Sequence, residues 1–265
     1  MVLKPFLTAA IIFVAGVADA RTAANTTVGP FPPSTTIPIV FTKGIDANHV
    51  HVNDPITAKT TQEVKLTNGQ VLPAGSPVIG HVVSVAPFVF DPTPYAKQKQ
   101  SSLGIQFDSI VDLGTNLPLS VYVRALADPL SSWGAATPKS TDLDPLGTTT
   151  QVGGDLVTPS QTEVRSQDDD VVGYKRHGRI YAHLIAASGN SPDGCDGSDT
   201  EQSMGIFSAS ACGLYGFPDT TFLRSGRSGP TSTLLLESRR RPMKIYSKTN
   251  GLLEVTDGNA HPASR

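Results

Sequence analysis

Glu63-Val64-Lys65-Leu66-Thr67-Asn68-Gly69-Gln70-Val71-Leu72 is the stretch that decides the fold class. Apolar and polar residues alternate on both sides of Asn68-Gly69, the pattern of two strands joined by a tight turn. Asn-Gly fits a type I′ hairpin, in which both central residues take positive φ. Pro73-Ala74-Gly75-Ser76-Pro77 makes a second corner, with Gly75 free to take positive φ and the prolines ending the ladder. Val78-Ile79-Gly80-His81-Val82-Val83 then returns as a buried-looking strand. Asn68, Gly69, Gly75 and Gly80 are therefore read as structural turn residues.

Upstream, Ile37–Thr42 is a short apolar run that Pro38 confines to an edge or a strand start. Ile56–Leu66 alternates and is rich in Thr, as one long strand. Downstream, Leu103–Ile110 and Leu117–Ala127 alternate, separated by a turn over Asp112–Asn116. Arg179–Ala187 reads as a short strand or a single helical segment, and Thr231–Glu237, Met243–Ser247 and Leu252–Val255 are closing strands. Strands so close in sequence, joined by short turns, form an antiparallel meander. The expectation is a mainly β fold, a small antiparallel barrel or sandwich with a long irregular insertion and a disulfide loop.

The organisation follows. Residues 1–20 combine Lys4, an apolar run over 6–17 and Ala18-Asp19-Ala20, the form of a secretory signal peptide cleaved after Ala20. Residues 21–36 form a Thr/Pro/Asn-rich flexible lead-in. Residues 37–127 supply the first part of the barrel. Residues 128–177 hold no sustained period and read as a linker or insertion, with Trp133, the single tryptophan of the chain, pinning it to the domain. Residues 178–257 hold the disulfide loop and the closing strands, and 258–265 a tail. The expected compartment is the periplasm, the cell envelope or the outside, and no later stretch is long enough to span a membrane as a helix.

The formal net charge of −2 gives no case for nucleic acid. Arg239-Arg240-Arg241 before Pro242 reads as a solvated loop, and Asp168-Asp169-Asp170 as a solvated run. His49 and His51 would share a strand face but lack a visible third ligand, so they read as exposed polar residues. Cys195 and Cys212 are the only cysteines, and in an exported chain they read as one disulfide. Closing a loop of this length stabilises by about 3 kcal/mol in the chain-entropy model. The acidic loop around them offers Asp193, Asp196, Asp199 and Glu201 as oxygen ligands for Ca²⁺, out of step with an EF-hand. Ser203–Phe217 is rich in small residues and aromatics, which suits tight packing under the bridge. It lacks Gly-x-Ser-x-Gly, and spacing alone assembles no Ser/His/Asp trio.

Ile37-Pro38-Ile39-Val40, Asp54-Pro55-Ile56-Thr57-Ala58 and the run Asn68–Gly80 resemble the C-terminal domain of TrbI-like conjugation proteins, envelope subunits of type IV secretion channels. Gly229–Leu234 and Pro242–Tyr246 are similar to the ending of that domain. The resemblance implies a β-barrel core and a place in a secretion apparatus. The whole-chain pattern is also similar to exported β-proteins of Acidobacteria-type soil bacteria, a resemblance that implies no activity. The function expected is an exported, non-enzymatic structural or binding module of the bacterial cell envelope, with envelope proteins or surface glycans as partners and no cofactor. The alternatives are a secreted hydrolase using Cys195–Phe217 with His183, and a calcium-dependent surface or carbohydrate binder.

Overall fold

The computed structural model describes residues 29–256, apart from 91, 93, 95, 96 and 141–143. The expected signal peptide, the first half of the lead-in and the tail lie outside the described residues. The described residues are mainly β, with 47% strand and 4% helix and a nearly closed barrel-like sheet. Its first strands are β1 (Thr36–Phe41), β2 (Ile45–Asp46), β3 (Pro55–Thr60), β4 (Val64–Lys65), β5 (Val71–Leu72) and β6 (Pro77–Ala86). β7 (Ser101–Asp112), β8 (Thr115–Pro118) and β9 (Val121–Ala127) follow, then the helix α1 (Pro129–Ala136).

The next strands are β10 (Thr149–Thr150), β11 (Leu156–Val157), β12 (Glu163–Arg165), β13 (Val171–Arg176), β14 (Arg179–Leu184) and β15 (Ser198–Ser203). The chain ends with β16 (Gly213–Tyr215), β17 (Thr220–Arg224), β18 (Thr233–Ser238), β19 (Lys244–Ile245) and β20 (Asn250–Val255).

The barrel runs in the order β9-β20-β1-β3-β6-β7-β18, every neighbouring pair antiparallel. First and last strands are thus partners, with Ile37 opposite Leu253. Hydrogen bonds outside the regular ladder bring β18 back to β9. Val123 N–H donates to the Ser225 carbonyl at 2.7 Å and Ser232 N–H to the Val121 carbonyl at 2.8 Å. The period of two sends Ile37, Ile39 and Phe41 of β1, Ile105 and Phe107 of β7, Val121 and Val123 of β9 and Leu253 of β20 into one buried cluster. Phe41 and Phe107 meet there, their centroids 6.3 Å apart.

Residues 128–177 are not a structureless linker. They contain α1 and β10–β13, and with β14 and β15 these strands make a six-stranded meander. The strands are two to six residues long, too short to show a period in sequence. This sheet packs on the outside of the barrel wall. Ala125, Ala127 and Leu252 face Val164, Ile180, Ala182, Leu184, Met204 and Phe207 in a second buried cluster. β9 is therefore buried at every residue, with one core on each side, which is why its sequence is apolar almost throughout. Trp133 does not pin the insertion, because it lies on α1 with 66% of its surface exposed.

One strand reading and two turn readings need correction. Ile56–Leu66 is not one strand but β3 and β4, and the β4–β5 hairpin is a separate ribbon beyond the barrel end. Its loop is not type I′. Gly69 has φ 82°, Asn68 is not among the positive-φ residues, and Leu66 N–H bonds to the Gln70 carbonyl at 2.8 Å while Gly69 N–H bonds to that of Leu66 at 3.0 Å. That is a three-residue loop with glycine in the left-handed position. The Asn68 side chain instead accepts the Gln70 N–H at 2.9 Å. Gly75 (φ 91°) turns the chain as expected. Gly80 lies inside β6, where a Cβ would stand 2.1 Å from the Gln106 carbonyl oxygen and 2.9 Å from Ile56. It is glycine for close approach, not for a turn.

Candidate functional site

At the end of the barrel where β1 begins, the Pro32–Thr36 segment and the β4–β5 ribbon form one wall of a half-open groove. β14 and β15 form the other. The groove encloses about 680 Å³, within the range of small-ligand sites. Two side chains at its base fix the walls together. Gln62, buried, donates to the Ile180 carbonyl at 2.8 Å and accepts from Gly205 N–H at 3.1 Å. Ser203 Oγ donates to the Glu63 carbonyl at 2.7 Å. Glu63, the next residue in the connection between β3 and β4, lines the groove.

Both carboxylates of the groove are paired, and Lys65 of β4 also lines it from an exposed position. Glu63 accepts from the Tyr181 hydroxyl at 2.6 Å and lies 2.5 Å from Arg179 Nη1. Arg176 makes a forked pair with Glu201 at 2.5 and 2.8 Å, a geometry only arginine provides. Its guanidinium carbon also sits 5.9 and 5.8 Å from the ring centroids of Tyr174 and Tyr181, which are cross-strand partners on β13 and β14. Burial, and then the Glu63 carboxylate, push the Tyr181 hydroxyl above its ordinary pKa, so it remains a donor. Exposed Val71 and the two prolines supply an apolar flank, and Thr200 and Gln202 supply polar groups.

Cys195 and Cys212 are bridged, as expected, with Cα atoms 5.9 Å apart. The bridge packs against Tyr122 on the outer face of β9. Beneath the loop lies a buried ionic node that the sequence reading missed. Val123 pairs with Leu253 and Ala125 with Leu252, so Arg124 is the extra residue of a β-bulge, a device that re-aims a side chain. Its guanidinium is fully buried. It pairs with Glu254 at 2.8 Å and donates to the carbonyls of Asp196 (2.6 Å), Ile185 (2.7 Å) and Ala211 (3.1 Å). The Tyr122 hydroxyl also donates to Glu254. Burial raises the Glu254 carboxyl, partly countered by the Tyr122 hydroxyl and Arg124, and burial with the Glu254 charge raises the Tyr122 hydroxyl. An arginine inside an alternating strand was the available signal, but it reads as an outward surface residue unless the bulge is known.

The proposed calcium ligands are not brought together. Asp193 accepts from Ser225 Oγ at 2.8 Å and Ser228 Oγ at 2.6 Å. Asp196 pairs with Arg227, Glu201 with Arg176, and Asp199 is exposed on β15. Among the described residues no group of three or more His, Cys, Asp or Glu is placed to hold a metal ion. His49 and His51 are exposed, 3.1 and 3.8 Å from Asp46 and Asp54. The hydrolase trio does not assemble either. Cys212 is bridged, Ser208 is fully buried with its hydroxyl 3.4 Å from that of Ser210, and His183 is exposed on β14. The buried carboxylate near Ser208 is Asp155, which accepts the Ala209 N–H at 2.7 Å and is raised by burial.

No protein-family model matches the sequence, and neither a curated protein nor a solved structure matches the chain. Among the described residues no helix is long and apolar enough to cross a membrane.

Proposed function

We propose that this chain is an exported, non-enzymatic binding module of the cell envelope, and that its ligand is a surface glycan held in the groove between the β4–β5 ribbon and β14–β15. The observation that carries the reading is the pairing of charge in that groove. Glu63 and Glu201 are each engaged by an arginine, so a cationic ligand would have to break existing pairs, whereas a neutral polyhydroxylated one, or one with an acidic group directed at Lys65, would not. The Tyr181 ring and the Val71 and proline flank suit the apolar faces of sugar rings, and Thr200 and Gln202 suit their hydroxyls. A place in a secretion apparatus, as the TrbI-like blocks suggest, is compatible with such a module and rests on those blocks alone.

The test is binding to a panel of neutral and acidic envelope polysaccharides, by retardation in polysaccharide gels and by calorimetry. Val71→Arg fills the groove from an exposed position and is expected to weaken binding at least about tenfold, the cost of an obstructed contact plus an unpaired charge. Absence of binding to every polysaccharide, or binding indifferent to Val71→Arg, would refute the reading.

A further inference from the structure

The opposite end of the barrel has a different character. Exposed apolar side chains emerge there from four separate connections: Val52 before β3, Val89 and Phe90 after β6, Leu130 and Trp133 on α1 after β9, and Tyr246 before β20. Phe90 is 77% exposed, Leu130 71% and Trp133 66%. Single exposed apolar residues are ordinary, but a set gathered at one end marks a contact surface. The same end is basic. Residues 42–54, 87–100, 128–137, 216–219 and 239–249 hold eight Lys and Arg against five Asp, in a chain whose net charge is −2. Lys43, Lys97, Lys99 and Lys248 are exposed there.

We propose that this end docks on the headgroup region of an anionic lipid bilayer. Aromatic and aliphatic tips borne on separate loops need no matching cavity in a fluid interface, where Trp and Tyr favour the boundary between tails and headgroups. Lysine stems reach anionic headgroups while covering apolar surface. The groove lies at the other end of the same strands, so docking leaves it directed away from the bilayer. This inference is independent of which ligand the groove holds.

Trp133, the single tryptophan, makes the test direct. The full chain is mixed with vesicles of phosphatidylcholine alone or with an equal share of phosphatidylglycerol, and tryptophan emission is followed with brominated lipid as a contact quencher. Because the apolar run at 6–17 would itself partition into vesicles, the local Trp133 signal, not co-sedimentation, decides. Expected are a shift to shorter wavelength and quenching with the anionic vesicles, reduced by 0.5 M salt. Lys97→Glu with Lys99→Glu should weaken the apparent affinity about tenfold or more, since each basic residue near an anionic surface counts separately. Val71→Ser, at the groove end, should leave it unchanged. An unshifted, unquenched Trp133 overturns the proposal. A shift produced by poly-glutamate but not by vesicles also overturns it and assigns the surface to an acidic protein.

Discussion

Arg124→Met is the most informative single change in this molecule. The substitution keeps a stem of similar reach but removes every donor of the guanidinium. Glu254, 3% exposed, keeps only the Tyr122 hydroxyl, and the carbonyls of Asp196, Ile185 and Ala211 lose their shared partner. Removing one member of a buried ion pair costs about 3–5 kcal/mol, and each orphaned buried acceptor adds about 1–3 kcal/mol where water does not reach it. A loss of about 6 kcal/mol or more follows, against about 5–15 kcal/mol for the whole fold. The melting temperature should fall by about 12 °C or more, taking about 2–4 °C per kcal/mol. The assay is urea and thermal unfolding by far-UV circular dichroism with the disulfide oxidised, because exposed Trp133 is a poor reporter of burial. The double variant Arg124→Met/Glu254→Met should recover about 2 kcal/mol or more by removing the stranded carboxylate, while the carbonyls stay unpaired. A single variant within about 1 kcal/mol of the parent, the size of an ordinary surface change, would refute the reasoning.

Reduction of Cys195–Cys212 should cost about 3 kcal/mol, read as a lower urea midpoint with reductant present. Gly80→Ala should destabilise more than Gly75→Ala. The first drives a methyl to 2.1 Å from a carbonyl oxygen, whereas the second meets only the penalty of φ 91° in open space, about 1 kcal/mol; equal melting temperatures would contradict this. Asp155→Asn tests a pH effect. Burial raises the folded-state pKa of Asp155, so above the ordinary carboxylate value the native state holds a proton that the unfolded chain has released. Its contribution is therefore fully present below that value and is lost as pH rises toward the folded pKa. Asparagine retains an acceptor for the Ala209 N–H without titrating, so the melting temperature of the variant relative to the parent should climb from pH 4 to pH 7.

Much of the barrel was legible because its inward residues recur every second position. Ile37 and Ile39, Ile105 and Phe107, and Val121 and Val123 sort themselves to one face before any coordinates are known. The disulfide was legible because two cysteines leave one pairing. What failed did so for physical reasons. The inserted sheet uses strands too short to display a period, and Trp133 looks like an anchor only until α1 carries it outward. Asn68-Gly69 signals a turn but not its type, since an Asn side chain that bonds Gln70 N–H stabilises a wider loop. The groove was not legible because Glu63 lies far in sequence from Arg176, Tyr181 and Glu201, and comes beside them only where the connection between β3 and β4 bonds to Tyr181 of β14 and Ser203 of β15. Arg124 was hidden by a bulge, which shifts the alternation by one residue and leaves no mark of its own.

The wall formed by β1, β20 and β9 has one further implication. The strands between α1 and β15 depend on Ala125, Ala127 and Leu252 to complete their interior, so a fragment containing those strands alone would present half of an interface to water. Deleting them would strip the outer side of the wall in turn. The inserted sheet is therefore not a portable module, and amide hydrogens of β14 and β9 should exchange through one shared opening, with equal protection, instead of as two separately melting units.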